Sequence, residues 1–124
     1  MFKIEHTYQN MPKAIKTIDP DVHFRALHHL EEDPHITQRK LAEKLNISLG
    51  AANYCLKALI EVGHIKIQNF KANPNKSSYF YLLTPNGIAE KSLLTKDFIQ
   101  RKTLEYQRLK SEIDQIKSKI KALD

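Results

Sequence analysis

Between Thr37 and Gly63 the chain carries two short helical patterns separated by only three residues, and few folds accommodate that spacing. Thr37 is a good N-cap, because its hydroxyl can accept from a backbone N–H that the first helical turn leaves unsatisfied. Leu41, Ala42 and Leu45 then fall on one face, with Arg39, Lys40 and Lys44 on the other. Asn46 suits a left-handed stop, since its short polar side chain tolerates positive φ. Ser48 is a second N-cap, and the pattern that follows runs to about Val62, where Gly63 is a natural terminator. Two capped helices so closely joined must cross and share one small core, which is the arrangement of a helix-turn-helix.

The flanks narrow the fold further. Asp19-Pro20 opens an earlier helix as cap plus proline, and Asp33-Pro34 closes it. Within it Val22, Ala26 and Leu30 recur every four residues, with Phe24 and Leu27 beside them. After Gly63, residues 64–70 alternate Ile65 and Ile67 with polar side chains, and residues 79–83 are strongly β-prone. The polar stretch 71–78 between them holds Asn73-Pro74-Asn75. A strand, a polar loop and a strand directly after a helix-turn-helix make a wing. Thr84-Pro85 repeats the cap-plus-proline start, and a long helix is expected from there toward Asp124. Tyr106, Leu109, Ile113, Ile116, Ile120 and Leu123 follow one another at alternating steps of three and four. That is a heptad seam, extended upstream by Ile99 and interrupted by Lys102. With little chain left to cover it, the seam calls for a second copy of the same helix. The expected fold class is α+β and mostly helical: a winged helix-turn-helix with a long C-terminal dimerisation helix. The expected division is an N-terminal arm over 1–18, a winged domain over 19–84 and a coiled-coil-like helix over 85–124.

Charge and residue usage bound the function. The 124-residue chain has a formal net charge of +6. The excess is concentrated, with seven Lys/Arg against two Asp/Glu in residues 37–84 and four against six in residues 1–36. A basic middle favours an anionic partner. The single cysteine, Cys55, allows neither an internal disulfide nor a cysteine zinc site, and reads as a small buried apolar residue. Of the six histidines, His28 and His29 are adjacent and diverge by about 100° on a helix. His23 and His28, five apart, are no better placed to share an ion, so neither a metal nor another cofactor is expected. No nucleophile elbow or glycine-rich phosphate loop is present, which argues against an enzyme. No apolar run reaches the length of a membrane span and no signal-peptide pattern opens the chain, so a cytoplasmic protein is expected.

At this level the sequence resembles the MarR family of winged-helix regulators. Residues 37–48 resemble the family's second helix and turn. Leu59-Ile60-Glu61-Val62-Gly63-His64-Ile65 resembles its helix–glycine–strand junction, and Leu83-Thr84-Pro85-Asn86-Gly87 its exit from the wing. Residues 47–60 followed by 67–71 are similar to a compact subgroup linked to exopolysaccharide gene clusters. The resemblance implies a double-stranded DNA-binding transcription regulator, acting as a homodimer on a palindromic operator. It names no effector. It also implies dimerising helices at both ends, whereas residues 1–18 show no clean period for one.

In such a fold the N-terminal part of the second helix of the motif meets base edges in the major groove. With Ala52, Leu56 and Leu59 facing the core, the opposite face holds Ser48, Leu49, Gly50, Asn53, Tyr54 and Lys57. Small residues allow close approach, Asn53 suits bidentate pairing to adenine, and Tyr54 and Lys57 reach phosphates or bases. The plain alternative for Asn53 is a solvated polar residue. Thr37, Gln38 and Arg39 open a helix N-terminus that can hold a backbone phosphate. The plain alternative for Thr37 is a cap and nothing more. Lys71, Asn73 and Lys76 sit in the wing loop and suit flanking phosphates, or form an ordinary polar loop. Two other readings use the same residues. The heptads could recruit a different coiled-coil protein, with the winged helix as an interaction module. Tyr79, Phe80 and Tyr81 could stack single-stranded bases, but alternation turns at least half of them inward.

Overall fold

The structure, a computed structural model, describes residues 13–69 and 79–123. The elements run in the order α1 (Lys13–Lys16), α2 (Pro20–Glu32), α3 (Gln38–Leu45), α4 (Leu49–Glu61), β1 (Ile65–Asn69), β2 (Tyr79–Leu83) and α5 (Pro85–Leu123). The two strands pair antiparallel, with Ile65 opposite Leu83 and Ile67 opposite Tyr81. This is the winged helix-turn-helix expected from the sequence, with a long C-terminal helix. Among the described residues no helix is long and apolar enough to cross a membrane.

Local chemistry sets each boundary. Asp19 Oδ1 accepts from the N–H groups of Asp21 and Val22 at 2.8 and 3.3 Å, and Pro20 takes the first helical position of α2. Thr37 Oγ1 accepts from Lys40 N at 3.1 Å and Ser48 Oγ from Ala51 N at 3.0 Å, so both expected caps are in place. Asn46 has φ 56° and its N–H returns to Ala42 and Glu43 carbonyls, which makes the turn between α3 and α4 a tight left-handed stop. Gly63 has φ +81°, and the following His64 N–H bonds back to Leu59 O at 2.9 Å. That closes α4 and aims the chain into β1.

The core gathers Leu27 and Leu30 of α2, Leu41 and Leu45 of α3, Leu56 and Leu59 of α4, Ile65 of β1 and Leu94 of α5. Burying a leucine-sized side chain contributes roughly 1.5–3 kcal/mol, so this set is the main source of stability. Ile15 and Ile18 are also buried in it. The last residues of the expected arm therefore pack on the winged domain and do not hang free of it. Their three-residue spacing is a single apolar step, too short to read as a period in the sequence.

Two polar arrangements hold the layers in register. His23 of α2 and His64 at the start of β1 are both buried, with His23 Nε2 3.3 Å from His64 Nδ1 and the rings stacked 5.3 Å apart. Burial pushes both imidazoles down to about 4, with His64 adding to the effect on His23, so the pair is neutral at pH 7. On the far side Asp21 receives Arg101 Nη2 at 2.6 Å and Lys102 Nζ at 2.9 Å, beside Phe98 stacked on Phe24 at 4.4 Å. Burial works against ionisation of Asp21, but the hydrogen bonds from Lys102 and Arg101 outweigh it and hold the carboxyl below its usual range.

α5 is unbroken from Pro85 to Leu123. Its first half packs on α2 and the wing. Lys102 is turned onto Asp21, which explains why the heptad seam is interrupted there. From residue 103 onward every described side chain is exposed.

Candidate nucleic-acid interface

α4 is positioned by its buried face. Ala52, Cys55, Leu56, Ala58 and Leu59 are all within 3% of full burial. The helix cannot rotate without exposing them, so the opposite face has a fixed aim. On that face Leu49 is 43% and Tyr54 48% exposed, Gly50 and Lys57 are exposed, and Asn53 is half-buried. Gly50 has open space where a side chain would begin, the nearest heavy atom being Ser48 Oγ at 4.0 Å. The first turn of α4 therefore presents a low surface, with its free N–H ends beside Ser48 and Asn53 within one turn of them.

Of the residues expected to open α3, Thr37 and Arg39 are exposed, and Thr37 is occupied as the cap. Gln38 is turned partly inward, donating from Nε2 to Tyr81 Oη at 3.4 Å. It braces β2 against α3, and Tyr81 N bonds to Pro34 O at 2.9 Å in the same corner. Tyr81 is itself 8% exposed, and Phe80 lies against the His35 ring at 5.0 Å, so these aromatics belong to the support of the wing and not to an open stacking surface. Lys71, Asn73 and Lys76 lie outside the described residues.

One contact escapes sequence reasoning. Tyr54 Oη lies 2.9 Å from Thr17 Oγ1, so the outer face of α4 is tied to the segment before α2. Thr17, Ile18, Val22, Ile47, Tyr54 and Cys55 contribute to the lining of an open, largely apolar hollow of about 340 Å³ beneath this contact. The Cys55 thiol faces it from the core side, and burial pushes its pKa up to about 11, which leaves it a protonated, unreactive group near neutral pH.

The expected dimerisation residues share one property. Ile99, Tyr106, Leu109, Ile113, Ile116, Ile120 and Leu123 are between 43% and 87% exposed. Leu104, which the heptad pattern leaves out, is 55% exposed as well. Among the described residues no group of three or more His, Cys, Asp or Glu side chains is arranged to hold a metal ion.

Comparison with known proteins agrees with this geometry. The model of a family described as winged helix-turn-helix DNA-binding matches residues 20–66, from the start of α2 into β1. The crystal structure of the transcriptional regulator SlyA is similar over 79% of this chain and 73% of its own, with TM-score 0.58 and 20% identity. A MarR/EmrR family transcriptional regulator from Acinetobacter sp. ADP1 is similar over 82% of this chain and 70% of its own, with TM-score 0.61 and 20% identity. The multiple antibiotic-resistance repressor MarR from Listeria monocytogenes covers 82% of this chain and 72% of its own, with TM-score 0.51 and 16% identity. No curated protein sequence matches the chain. The protein thus has the winged helix-turn-helix fold of the MarR-type regulators.

Proposed function

We propose that this protein is a sequence-specific, double-stranded DNA-binding transcription regulator that acts as a homodimer on a palindromic operator, and that it is not an enzyme. The observation that carries the reading is the outward face of α4. It is small at Gly50, polar at Asn53, cationic at Lys57, and held in aim by a fully buried opposite face. A helix of this kind fits the major groove, where Asn53 pairs with an adenine edge and Lys57 takes phosphates or bases, and Tyr54, whose hydroxyl is bonded to Thr17, joins it by releasing or sharing that bond. Arg39 at the start of α3 and the lysines of the wing segment supply the sequence-independent attraction. Two such helices related by a twofold meet successive major grooves about 34 Å apart. The resemblance of residues 47–60 followed by 67–71 to the exopolysaccharide-linked subgroup supports surface-polysaccharide genes as its targets.

The test is binding to a palindrome-containing duplex from upstream of the protein's own gene, titrated against salt beside an unrelated duplex. A specific regulator binds the upstream duplex about a thousandfold more tightly, with affinity falling steeply as salt rises. Equal, weak binding to both duplexes would overturn the reading and favour a protein partner.

A further inference from the structure

The exposed second half of α5 has a register as well as an apolar seam. We propose that residues 106–123 pair with the same residues of a second copy as a parallel, in-register, two-stranded coiled coil. The proposal rests on the homodimer reading above and adds orientation and register to it.

Three features carry it. The first is where the pairing begins. Up to Lys102 the helix is committed to its own domain, through Phe98 on Phe24 and the clamp of Arg101 and Lys102 on Asp21. Beyond it the described side chains are exposed, including Tyr106 at 65%, Leu109 at 55% and Ile120 at 59%. The helix continues through this stretch with nothing of its own fold to pack on.

The second is the identity of the seam residues. With Tyr106 at an a position, the other a positions are Ile113 and Ile120, and the d positions are Leu109, Ile116 and Leu123. β-branched residues at a with leucine at most d positions favour two strands.

The third is charge, which decides orientation. In this register Glu105, Glu112 and Lys119 occupy g, and Lys110 and Lys117 occupy e. In a parallel pair each g residue faces the e residue five positions later on the other helix. Glu105 then meets Lys110 and Glu112 meets Lys117, on both sides of the seam, and every contact is attractive. An antiparallel pair that fills the same seam sets e against e and g against g, which brings Lys110 against Lys117, a repulsion, and Glu112 against Lys119, an attraction, so the two largely offset. The described charges therefore favour the parallel arrangement.

The test uses the full chain carrying either Leu109→Cys or Ile120→Cys. Both positions are exposed, so neither substitution disturbs the core, and the buried Cys55 makes the unsubstituted chain a fair oxidation control. The two variants are refolded together, oxidised, and their disulfide-linked peptides mapped by mass spectrometry. Linkage of 109 to 109 and of 120 to 120, without 109 to 120, is expected. Linkage of 109 to 120 alone means an antiparallel pair and overturns the proposal. No linkage in a protein that still sediments as a dimer overturns it while leaving the homodimer intact. No linkage in a monomer removes self-pairing altogether, and duplex binding by that monomer would still be measured separately. A second experiment reads the charges. Lys110→Glu with Lys117→Glu should weaken self-association about tenfold. Adding Glu105→Lys and Glu112→Lys to the same chain restores it only in the parallel arrangement, so failure of that rescue also overturns the proposal.

Discussion

The backbone carbonyl oxygen of His64 occupies the space into which a Cβ on Gly87 would project, 1.9 Å from it. This is where α5 leaves the wing. Thr84 caps the helix by accepting from Gly87 N at 3.0 Å, and its own N–H bonds to His64 O at 3.0 Å. Gly87→Ala must push backbone against backbone, which no rotamer change relieves. It should cost at least about 2 kcal/mol and lower Tm by roughly 8 °C. Thermal unfolding of the purified variant measures this, and an unchanged Tm would show that the junction has slack.

Gly50→Ala should behave in the opposite way. The site is open and helical, so alanine should stabilise the fold by up to about 1 kcal/mol. If α4 docks closely in a groove, the added methyl should lower affinity for the upstream duplex while Tm rises. A variant that gains stability and keeps full affinity would mean that the first turn of α4 stands away from the bases.

Asn53→Ala tests base reading directly. Loss of a bidentate contact should remove about 1–3 kcal/mol of discrimination between the upstream and the unrelated duplex. Tm should hardly move, because the side chain is only half-buried. Competition binding with single-base variants of the duplex shows which position loses its preference, and retention of every preference would sink the role given to Asn53.

The His23–His64 pair makes stability depend on pH. Both rings have folded values near 4, below the ordinary 6.5. The unfolded chain therefore takes up protons first as pH falls. The contribution is fully present above about pH 6.5 and is lost progressively down to about pH 4, by roughly 1 kcal/mol per pH unit for each ring. Glu90 acts in the opposite sense, since burial raises its carboxyl and Oε1 has no hydrogen-bond partner. Its charge is a cost at neutral pH that protonation relieves. Tm should accordingly fall between pH 7 and 4.5, and Glu90→Gln should raise Tm at pH 7. A flat profile over that range would mean that the two rings charge freely in the folded state.

Ile113→Asp with Ile116→Asp places four carboxylates at the centre of the proposed seam. The variant should sediment as a monomer and bind the upstream duplex weakly, with its winged domain still folded by circular dichroism. A dimer that survives both substitutions would point to another interface.

Much of the fold was legible in the sequence because its boundaries are local. Asp19, Thr37 and Ser48 each cap the helix that follows, and Asn46 takes the left-handed turn, through contacts spanning four residues or fewer. The outward face of α4 was legible as the complement of Ala52, Leu56 and Leu59. What was not legible spans long separations. His23 meets His64 across 41 positions, Asp21 meets Arg101 across 80, and Tyr54 meets Thr17 across 37. Each partner alone looks like an ordinary surface or helix residue. The inward turn of Gln38 toward Tyr81 was hidden for the same reason, because a glutamine at a helix start is equally suited to solvent or to a phosphate.

The continuity of α5 has a further consequence. Residues that grip the winged domain, ending at Lys102, and residues that form the seam, starting at Tyr106, lie on one rigid rod. In a dimer paired through that seam, the compass bearing of each domain is encoded by the number of residues between those two positions. One extra residue there would swing each domain by about 100° about the rod. Seven would bring it nearly back to its original bearing, about 10 Å further from the seam. The linker is thus a dial with coarse steps, and its length decides which duplexes both reading helices can reach at once.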